Sequence, residues 1–263
     1  MNTGIQGKVV LITGASKGIG KATALAMAEE GARLALCARD ERELKIVTDE
    51  IQHHTKADII AVKVNTTKLN DIRRFVSATV KKFNRLDILI NNAGGAHIGG
   101  IFQTTDDDWE YHIQFKLMGY IRMSREVISH MKKNGGGKII NIVGTAGKEP
   151  NPLYMVPGVT NGALINFTKS LSKELEPDHI TVNSINPGTT DTPLTEETFK
   201  TLAAILQKTP EEIRRGAADL SPQGRIALPE DIAKTVLFLA SDAANFINGI
   251  SVNVDAGKIS GLW

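Results

Sequence analysis

The 263-residue sequence contains one cysteine, Cys37, and no stretch of 18 consecutive apolar residues. A single cysteine excludes an intrachain disulfide and a zinc site built from several cysteines. Because no long apolar run is present, we expect neither a signal peptide nor a membrane span, and therefore a cytoplasmic protein. The formal net charge is only +2 and both signs are interspersed, which argues against a nucleic-acid-binding surface.

The sequence also lacks the His-Glu-x-x-His motif of zinc proteases. An acidic run, Asp106-Asp107-Asp108, stands at the start of a predicted helix. Carboxylates are favourable at that end of a helix because they interact with its dipole, so we interpret the run as a cap. The sequence predicts no metal site.

Short apolar runs alternate with helical patterns along the whole chain. Nearly continuous apolar strands that alternate with helices are typical of a parallel sheet covered on both faces. We therefore predict a single α/β domain over residues 1–263, with a doubly wound, Rossmann-like parallel sheet. Residues 189–220 form an excursion over the carboxyl edge of the sheet, where ligands bind in such folds, and we expect it to cover the substrate. The strands are predicted at residues 9–13, 33–38, 59–64, 86–91, 138–143, 180–185 and 250–254.

The first predicted strand ends in the glycine-rich turn TGASKGIG, which opens the first helix. Gly14 permits a sharp reversal of the chain, and Gly18 lets the backbone approach a diphosphate without a Cβ in the way. Gly20 lets the helix pack closely against the strand. Since free N–H groups and the positive dipole end of the helix then face the phosphates, the turn predicts a dinucleotide site. The residues predicted to bind here are Gly14, Ser16, Lys17, Gly18, Ile19 and Gly20.

Three further segments follow the glycine turn in order: Asn91-Asn92-Ala93-Gly94, Pro187-Gly188-Thr189-Thr190-Asp191-Thr192 and Val252-Asn253-Val254-Asp255-Ala256-Gly257. With these four motifs the sequence resembles the short-chain dehydrogenase/reductase family over its full length. The resemblance implies a Rossmann fold, a nicotinamide dinucleotide, a small carbonyl or alcohol substrate, and a homotetramer or homodimer.

The same resemblance implies roles for individual residues around the cofactor. Asn92, Ala93 and Gly94 line the adenine-ribose side, and Asn65 stands where the family often has an aspartate at the adenine. The nicotinamide end and its ribose are implied to contact Pro187, Gly188, Thr190, Thr192 and Asn161.

The form of the cofactor can be argued from charge at the end of the second strand. An NAD site usually places a carboxylate there, bonded to the ribose 2′-hydroxyl. This chain has Ala38 at that position, followed by Arg39, and Lys17 lies in the glycine turn. Two cations suit a 2′-phosphate, which a guanidinium grips in a fork, so we predict NADP(H). The carboxylate of Asp40, one residue late, is a possible competing partner of Arg39.

The four catalytic positions implied by the resemblance hold unusual residues. The family has an asparagine in the long middle helix, a serine after the fifth strand, and a tyrosine and lysine four residues apart. Alignment by the flanking segments places Lys116, Gly144, Pro157 and Asn161 at these positions in turn. Proline has no proton to donate, and loss of a positioned acid slows a reaction about 10²–10⁴-fold.

Two interpretations of these departures remain. In the first, the catalytic groups are rearranged: Tyr154 supplies the proton, Thr145 replaces the serine hydroxyl, and the ammonium of Lys116 enters from the opposite helix. The protein would then reduce a ketone or β-ketoacyl-type carbonyl, or oxidise the secondary alcohol. In the second, the chain binds NADP(H) without redox turnover, as a cofactor sensor or the silent partner of an active subunit.

Overall fold

The computed structural model describes residues 3–260, in which seven parallel strands form one sheet in the order β3-β2-β1-β4-β5-β6-β7. Consecutive strands are joined through helices, so the order reverses between β1 and β4. This arrangement confirms the predicted Rossmann-like sheet and opens a crevice at its carboxyl edge. The strands are β1 (Val9–Thr13), β2 (Arg33–Ala38), β3 (Ile59–Lys63), β4 (Ile88–Asn91), β5 (Gly137–Ile142), β6 (Ile180–Pro187) and β7 (Ser251–Val254).

Helices cover both faces of the sheet and bury a separate apolar cluster on each. One cluster joins alternate strand residues to the apolar faces of the first, second and last helices, as in Met27, Leu44 and Val236. The other joins the opposite strand faces to helices that carry Phe75 and Val127. The helices are α1 (Gly18–Glu29), α2 (Glu41–Thr55), α3 (Leu69–Phe83), α4 (Asp106–His112), α5 (Met118–Lys133), α6 (Met155–Glu174), α7 (Pro193–Leu206), α8 (Pro210–Asp219) and α9 (Pro229–Ala240).

The long helix predicted over residues 105–132 is interrupted. A π-helical turn, Ile113–Leu117, separates α4 from α5. Such turns are frequent at functional sites because they redirect a side chain relative to the regular helix. Here the turn carries Lys116.

The prolines of the loop up to Pro157 predict a helix that starts near Gly158, but α6 begins three residues earlier, at Met155. Pro157 is therefore its third residue, where the missing N–H costs no hydrogen bond because the first turn has no acceptors for its amides. The prediction from proline alone was too late, and the earlier start places Tyr154 directly at the N-cap.

Helix α4 is capped as its sequence predicts. The Thr105 hydroxyl accepts a hydrogen bond from the Asp108 N–H, and the Asp108 carboxylate accepts one from the Thr105 N–H. Across residues 3–260 there is no group of three or more His, Cys, Asp or Glu side chains arranged to hold a metal. Within the same range, no helix is both long and apolar enough to cross a bilayer.

Candidate active site

A cavity of about 1360 Å³ opens at the carboxyl edge of the sheet, where the strand order reverses. Its walls come from the turns after β1, β2, β4, β5 and β6, from the start of α6, and from α7 and α8. It therefore lies where ligands bind in open parallel sheets. The predicted site residues in its wall are Gly14, Ser16, Lys17, Gly18, Ile19, Arg39, Asn92, Ala93, Gly94, Lys116, Thr145, Tyr154, Asn161, Pro187, Gly188, Thr190 and Thr192.

The glycine turn has the backbone geometry that its composition predicts. Gly14 and Gly18 have φ values of +66° and +53°, which side chains with a Cβ rarely adopt. A Cβ on Gly18 would lie 3.0 Å from Thr192 Cγ2, so the absence of a side chain keeps this part of the cavity open. Thr13 joins the turn to the segment after β4, since its hydroxyl accepts hydrogen bonds from the N–H groups of Asn92 and Ala93 at 2.9 and 3.0 Å.

Gly20 does not line the cavity and contributes through the packing of α1. A Cβ there would approach Gly14 O to 2.2 Å, so only glycine allows α1 to pack this closely against the turn. Lys17 stands at the N-cap of α1 without a side-chain cap, and the first turn contains no acidic residue. The amino end of α1 therefore keeps its N–H groups and positive dipole for an anion, which fits a diphosphate.

The end of β2 presents a guanidinium held in place by aromatic side chains. Arg39 Nη1 donates to the Tyr111 hydroxyl at 2.7 Å, and its guanidinium lies over the Phe115 ring at 4.9 Å. Tyr111 and Phe115 stack on each other with centroids 5.6 Å apart. Sequence reasoning missed both aromatic residues because they come from a distant part of the chain.

Asp40, the competing partner considered for Arg39, binds backbone N–H groups instead. The carboxylate of Asp40 accepts hydrogen bonds from the N–H groups of Arg42 and Glu43, so it caps α2. These backbone donors lower the pKa of Asp40 below its usual value. Glu43, which the sequence did not single out, also lines the cavity and lies 4.0 Å from Lys17 Nζ.

The segment after β6 forms the opposite wall. Gly188 N–H donates to Val254 O at 3.0 Å, and the Thr190 hydroxyl donates to Gly188 O at 3.0 Å. Thr192 caps α7. Asn65 lies outside the wall, and its side-chain oxygen accepts hydrogen bonds from the N–H and hydroxyl of Thr67.

Lys116 and Asn161 meet inside the cavity wall. Lys116 is 6% exposed, and its Nζ donates to Asn161 Oδ1 at 2.7 Å and to Val143 O at 2.6 Å. Burial lowers the pKa of Lys116 to about 7. The two residues for which the sequence predicts an exchange of positions thus form a direct hydrogen bond.

The predicted serine and tyrosine positions, Gly144 and Pro157, carry no hydroxyl. Gly144 has a φ of +124°, and a Cβ there would lie 2.9 Å from Asn161 Nδ2. Pro157 is buried in α6. Thr145 and Tyr154 both line the cavity, but burial raises the pKa of Tyr154 to about 12. Proton donation near neutrality needs a cation that lowers this pKa, and no such contribution offsets the burial.

A buried histidine that the sequence did not reveal stands one turn before Lys116. His112 is 3% exposed, with Nε2 3.2 Å from Gly95 O and Nδ1 3.1 Å from the Thr160 hydroxyl. Because a carbonyl oxygen only accepts, the contact with Gly95 O assigns the proton of the neutral ring to Nε2. Burial lowers the pKa of His112 to about 4, so the ring is neutral at neutral pH. Its four-residue spacing from Lys116 on one helical face was the available signal.

Comparisons with known proteins agree with this geometry. A family model described as short chain dehydrogenase matches residues 8–203. The 3-oxoacyl-(acyl-carrier-protein) reductase FabG of Thermotoga maritima is 32% identical over 255 residues, covering 97% of this chain and 99% of that protein. L-Sorbose reductase from Gluconobacter frateurii, solved with NADPH and L-sorbose, is 32% identical over the full length of both chains, with a TM-score of 0.94.

A second solved structure, the 3-ketoacyl-(acyl-carrier-protein) reductase from Brucella melitensis complexed with NADH, is 32% identical with a TM-score of 0.86. The match covers 97% of this chain and 99% of the Brucella chain. The family match, these similarities and the topology of the sheet lead to one conclusion: the chain belongs to the short-chain dehydrogenase/reductase family of oxidoreductases.

Proposed function

We propose that this chain is an NADP(H)-dependent reductase of a ketone or β-ketoacyl-type carbonyl, also able to oxidise the secondary alcohol, with a rearranged proton donor. The observation that carries the proposal is the hydrogen bond between Lys116 Nζ and Asn161 Oδ1 in the wall of the dinucleotide cavity. A buried ammonium with a lowered pKa is costly to keep in a fold, and such groups cluster at functional sites.

The choice of NADP(H) rests on Arg39 and Lys17. Arg39 is fixed by Tyr111 and Phe115 at the end of β2. The residue before it is Ala38, so this chain has no carboxylate at the position where an NAD site usually has one. A pre-oriented guanidinium binds phosphate in a fork and loses little entropy on binding. Relatives are known with either form, since the sorbose reductase was solved with NADPH and the Brucella reductase with NADH.

The glycine turn and the amino end of α1 would hold the diphosphate, while the residues from Pro187 to Thr192 would contact the nicotinamide end. A reduced nicotinamide bound there supplies a hydride to the carbonyl carbon. The hydroxyl of Thr145 would orient the carbonyl oxygen by donating a hydrogen bond. Tyr154 and Lys116 are the candidate proton donors in the same wall.

Residues 189–220 would cover the bound substrate. Phe199 and Ile213, on α7 and α8, line the cavity. Arg214 joins the two helices and the loop before them through ion pairs with Asp191 and Glu196. We infer that this unit closes the site against water, and that the protein works as a cytoplasmic homotetramer or homodimer, which sedimentation of the purified protein would test.

The proposal is tested by cofactor binding and turnover with protein freed of carried-over ligand. Titration calorimetry should show tighter binding of NADPH than of NADH, and Arg39→Ala should weaken NADPH binding at least tenfold while leaving NADH affinity within threefold. Lys133→Ala, an exposed lysine at the end of α5, is the matched control. Failure to bind NADPH at millimolar excess would refute the proposal.

Turnover separates the proposed enzyme from a second candidate, a binding protein without redox activity. That candidate is favoured by Gly144 and Pro157, which leave the serine and tyrosine positions without a hydroxyl. NADPH oxidation should be detectable with at least one member of a panel of ketones, β-ketoacyl thioesters and sugars. Tight NADPH binding with no oxidation across that panel would instead support a cofactor sensor or silent subunit.

A further inference from the structure

We propose that Lys116 is itself the catalytic acid of this site and gives a proton from its ammonium group directly to the substrate oxygen. This inference rests on the proposed carbonyl reduction and names the atom that completes it. Lys116 Nζ would then take the place of a tyrosine hydroxyl, and Tyr154 would only shape the cavity.

The hydrogen bonds of Lys116 leave one proton available. A protonated amine has three N–H donors. Val143 O and Asn161 Oδ1 accept two of them, and no third protein acceptor is present within residues 3–260. A neutral amine still has two N–H groups, so Lys116 can lose the third proton and keep both bonds. The geometry therefore holds Nζ in place through both protonation states.

The electrostatic surroundings also favour release of that proton. Lys116 takes part in none of the ion pairs formed by residues 3–260, so its charge has no carboxylate partner. His112, the titratable group that interacts electrostatically with Lys116, has a pKa of about 4 and is neutral near pH 7. Burial lowers the pKa of Lys116 itself to about 7, where an acid transfers protons efficiently.

Two glycines keep the surroundings of the ammonium group open. A Cβ on Gly94 would lie 3.9 Å from Lys116 Nζ, in contact with the amine. A Cβ on Gly144 would lie 2.9 Å from Asn161 Nδ2 and displace the amide that holds Nζ. Both glycines and Lys116 line the same cavity. Glycine at position 144 thus leaves the Asn161 amide in the place where it holds Nζ.

The step balances with a reduced nicotinamide dinucleotide as the hydride donor. Hydride addition to the carbonyl carbon breaks the C=O π bond and leaves its electron pair on oxygen. One N–H bond of the Lys116 ammonium then breaks, its electrons stay on Nζ, and an O–H bond forms. The products are the alcohol, the oxidised dinucleotide and a neutral lysine, which takes a proton from water before the next turnover.

Three variants separate an acid from a fixed charge. Lys116→Met removes the proton and the charge, whereas Lys116→Arg keeps a charge that is not released near neutral pH. If Lys116 is the acid, both should lower kcat at least 100-fold while NADPH affinity, measured by calorimetry, stays within threefold. Tyr154→Phe should lower kcat less than tenfold. Lys133→Met serves as the control for a lysine outside the cavity.

A readout independent of turnover is the pH dependence of amine labelling. Brief acylation of the parent protein with a small anhydride, followed by peptide mass spectrometry, should give a midpoint near pH 7 for Lys116. A midpoint near pH 10 for Lys116, or full activity of Lys116→Arg, would overturn the assignment. Loss of NADPH oxidation in the parent itself would instead show that the proposed function has failed, and the assignment with it.

Discussion

The low pKa of Lys116 makes the free energy of unfolding depend on pH in a way that one substitution should remove. In the folded protein burial lowers this pKa to about 7, whereas in the unfolded chain it has the ordinary value of 10.5. Between these two values the unfolded chain binds the extra proton. Binding of this proton favours the unfolded chain, and the unfolded chain loses the proton as the pH increases from 7 toward 10.5. The free energy of unfolding must therefore rise over this range.

The expected size of this effect follows from the two pKa values. Each pH unit in this window adds about 1.4 kcal/mol to the free energy of unfolding. Since the folded state is half protonated at pH 7, the gain between pH 7 and pH 9 is about 2 kcal/mol. In Lys116→Met the titrating amine is gone, so the variant should lack this component. In this variant Val143 O and Asn161 Oδ1 lose their hydrogen-bond donor. That loss lowers the free energy of unfolding by an amount that is the same at every pH.

Urea unfolding followed by circular dichroism, at pH 7, 8 and 9, measures the effect. The informative quantity is the difference between parent and Lys116→Met at each pH, because other titrating groups contribute equally to both. Lys133→Met, which changes an exposed lysine, should follow the parent at every pH. Parallel curves for the parent and Lys116→Met would show that Lys116 keeps an ordinary pKa, and the reasoning about its burial would be refuted.

Other substitutions test the cofactor wall and the buried histidine. Tyr111→Phe removes the hydrogen bond that fixes Arg39, so NADPH affinity should fall roughly 3–10-fold by calorimetry while NADH affinity stays the same; equal weakening of both would contradict the role given to Tyr111. Gly18→Ala forces a Cβ into a backbone with φ of +53° and against Thr192, so we expect a loss of about 1 kcal/mol in urea unfolding and at least tenfold weaker dinucleotide binding. For His112, the folded pKa of about 4 lies below that of the unfolded chain, so the parent should lose stability as the pH falls from 6.5 toward 4, and His112→Gln should lose less; an equal loss in both would place the acid sensitivity elsewhere.

Local sequence was sufficient to predict the architecture of this protein. Apolar runs, helical periodicity and the glycine turn are determined by residues close together in the chain, and they predict the parallel sheet and its ligand-binding edge. The structure differs from these predictions mainly in where helices begin, end or are interrupted. Helix α6 starts before Pro157, and the π-helical turn at Lys116 breaks the middle helix, because capping and tertiary contacts decide where a helix begins and how it is interrupted.

Contacts between distant segments decided the chemistry of the site. The resemblance predicts the exchange of lysine and asparagine from the sequence, but only the fold brings Lys116 and Asn161, 45 residues apart, to 2.7 Å. Burial on folding then gives Lys116 and Tyr154 opposite pKa shifts, which favours the lysine as the acid. A pKa depends on solvent exclusion and on neighbours from every packed element, so the sequence determined which groups were present and the tertiary structure decided which could act as an acid.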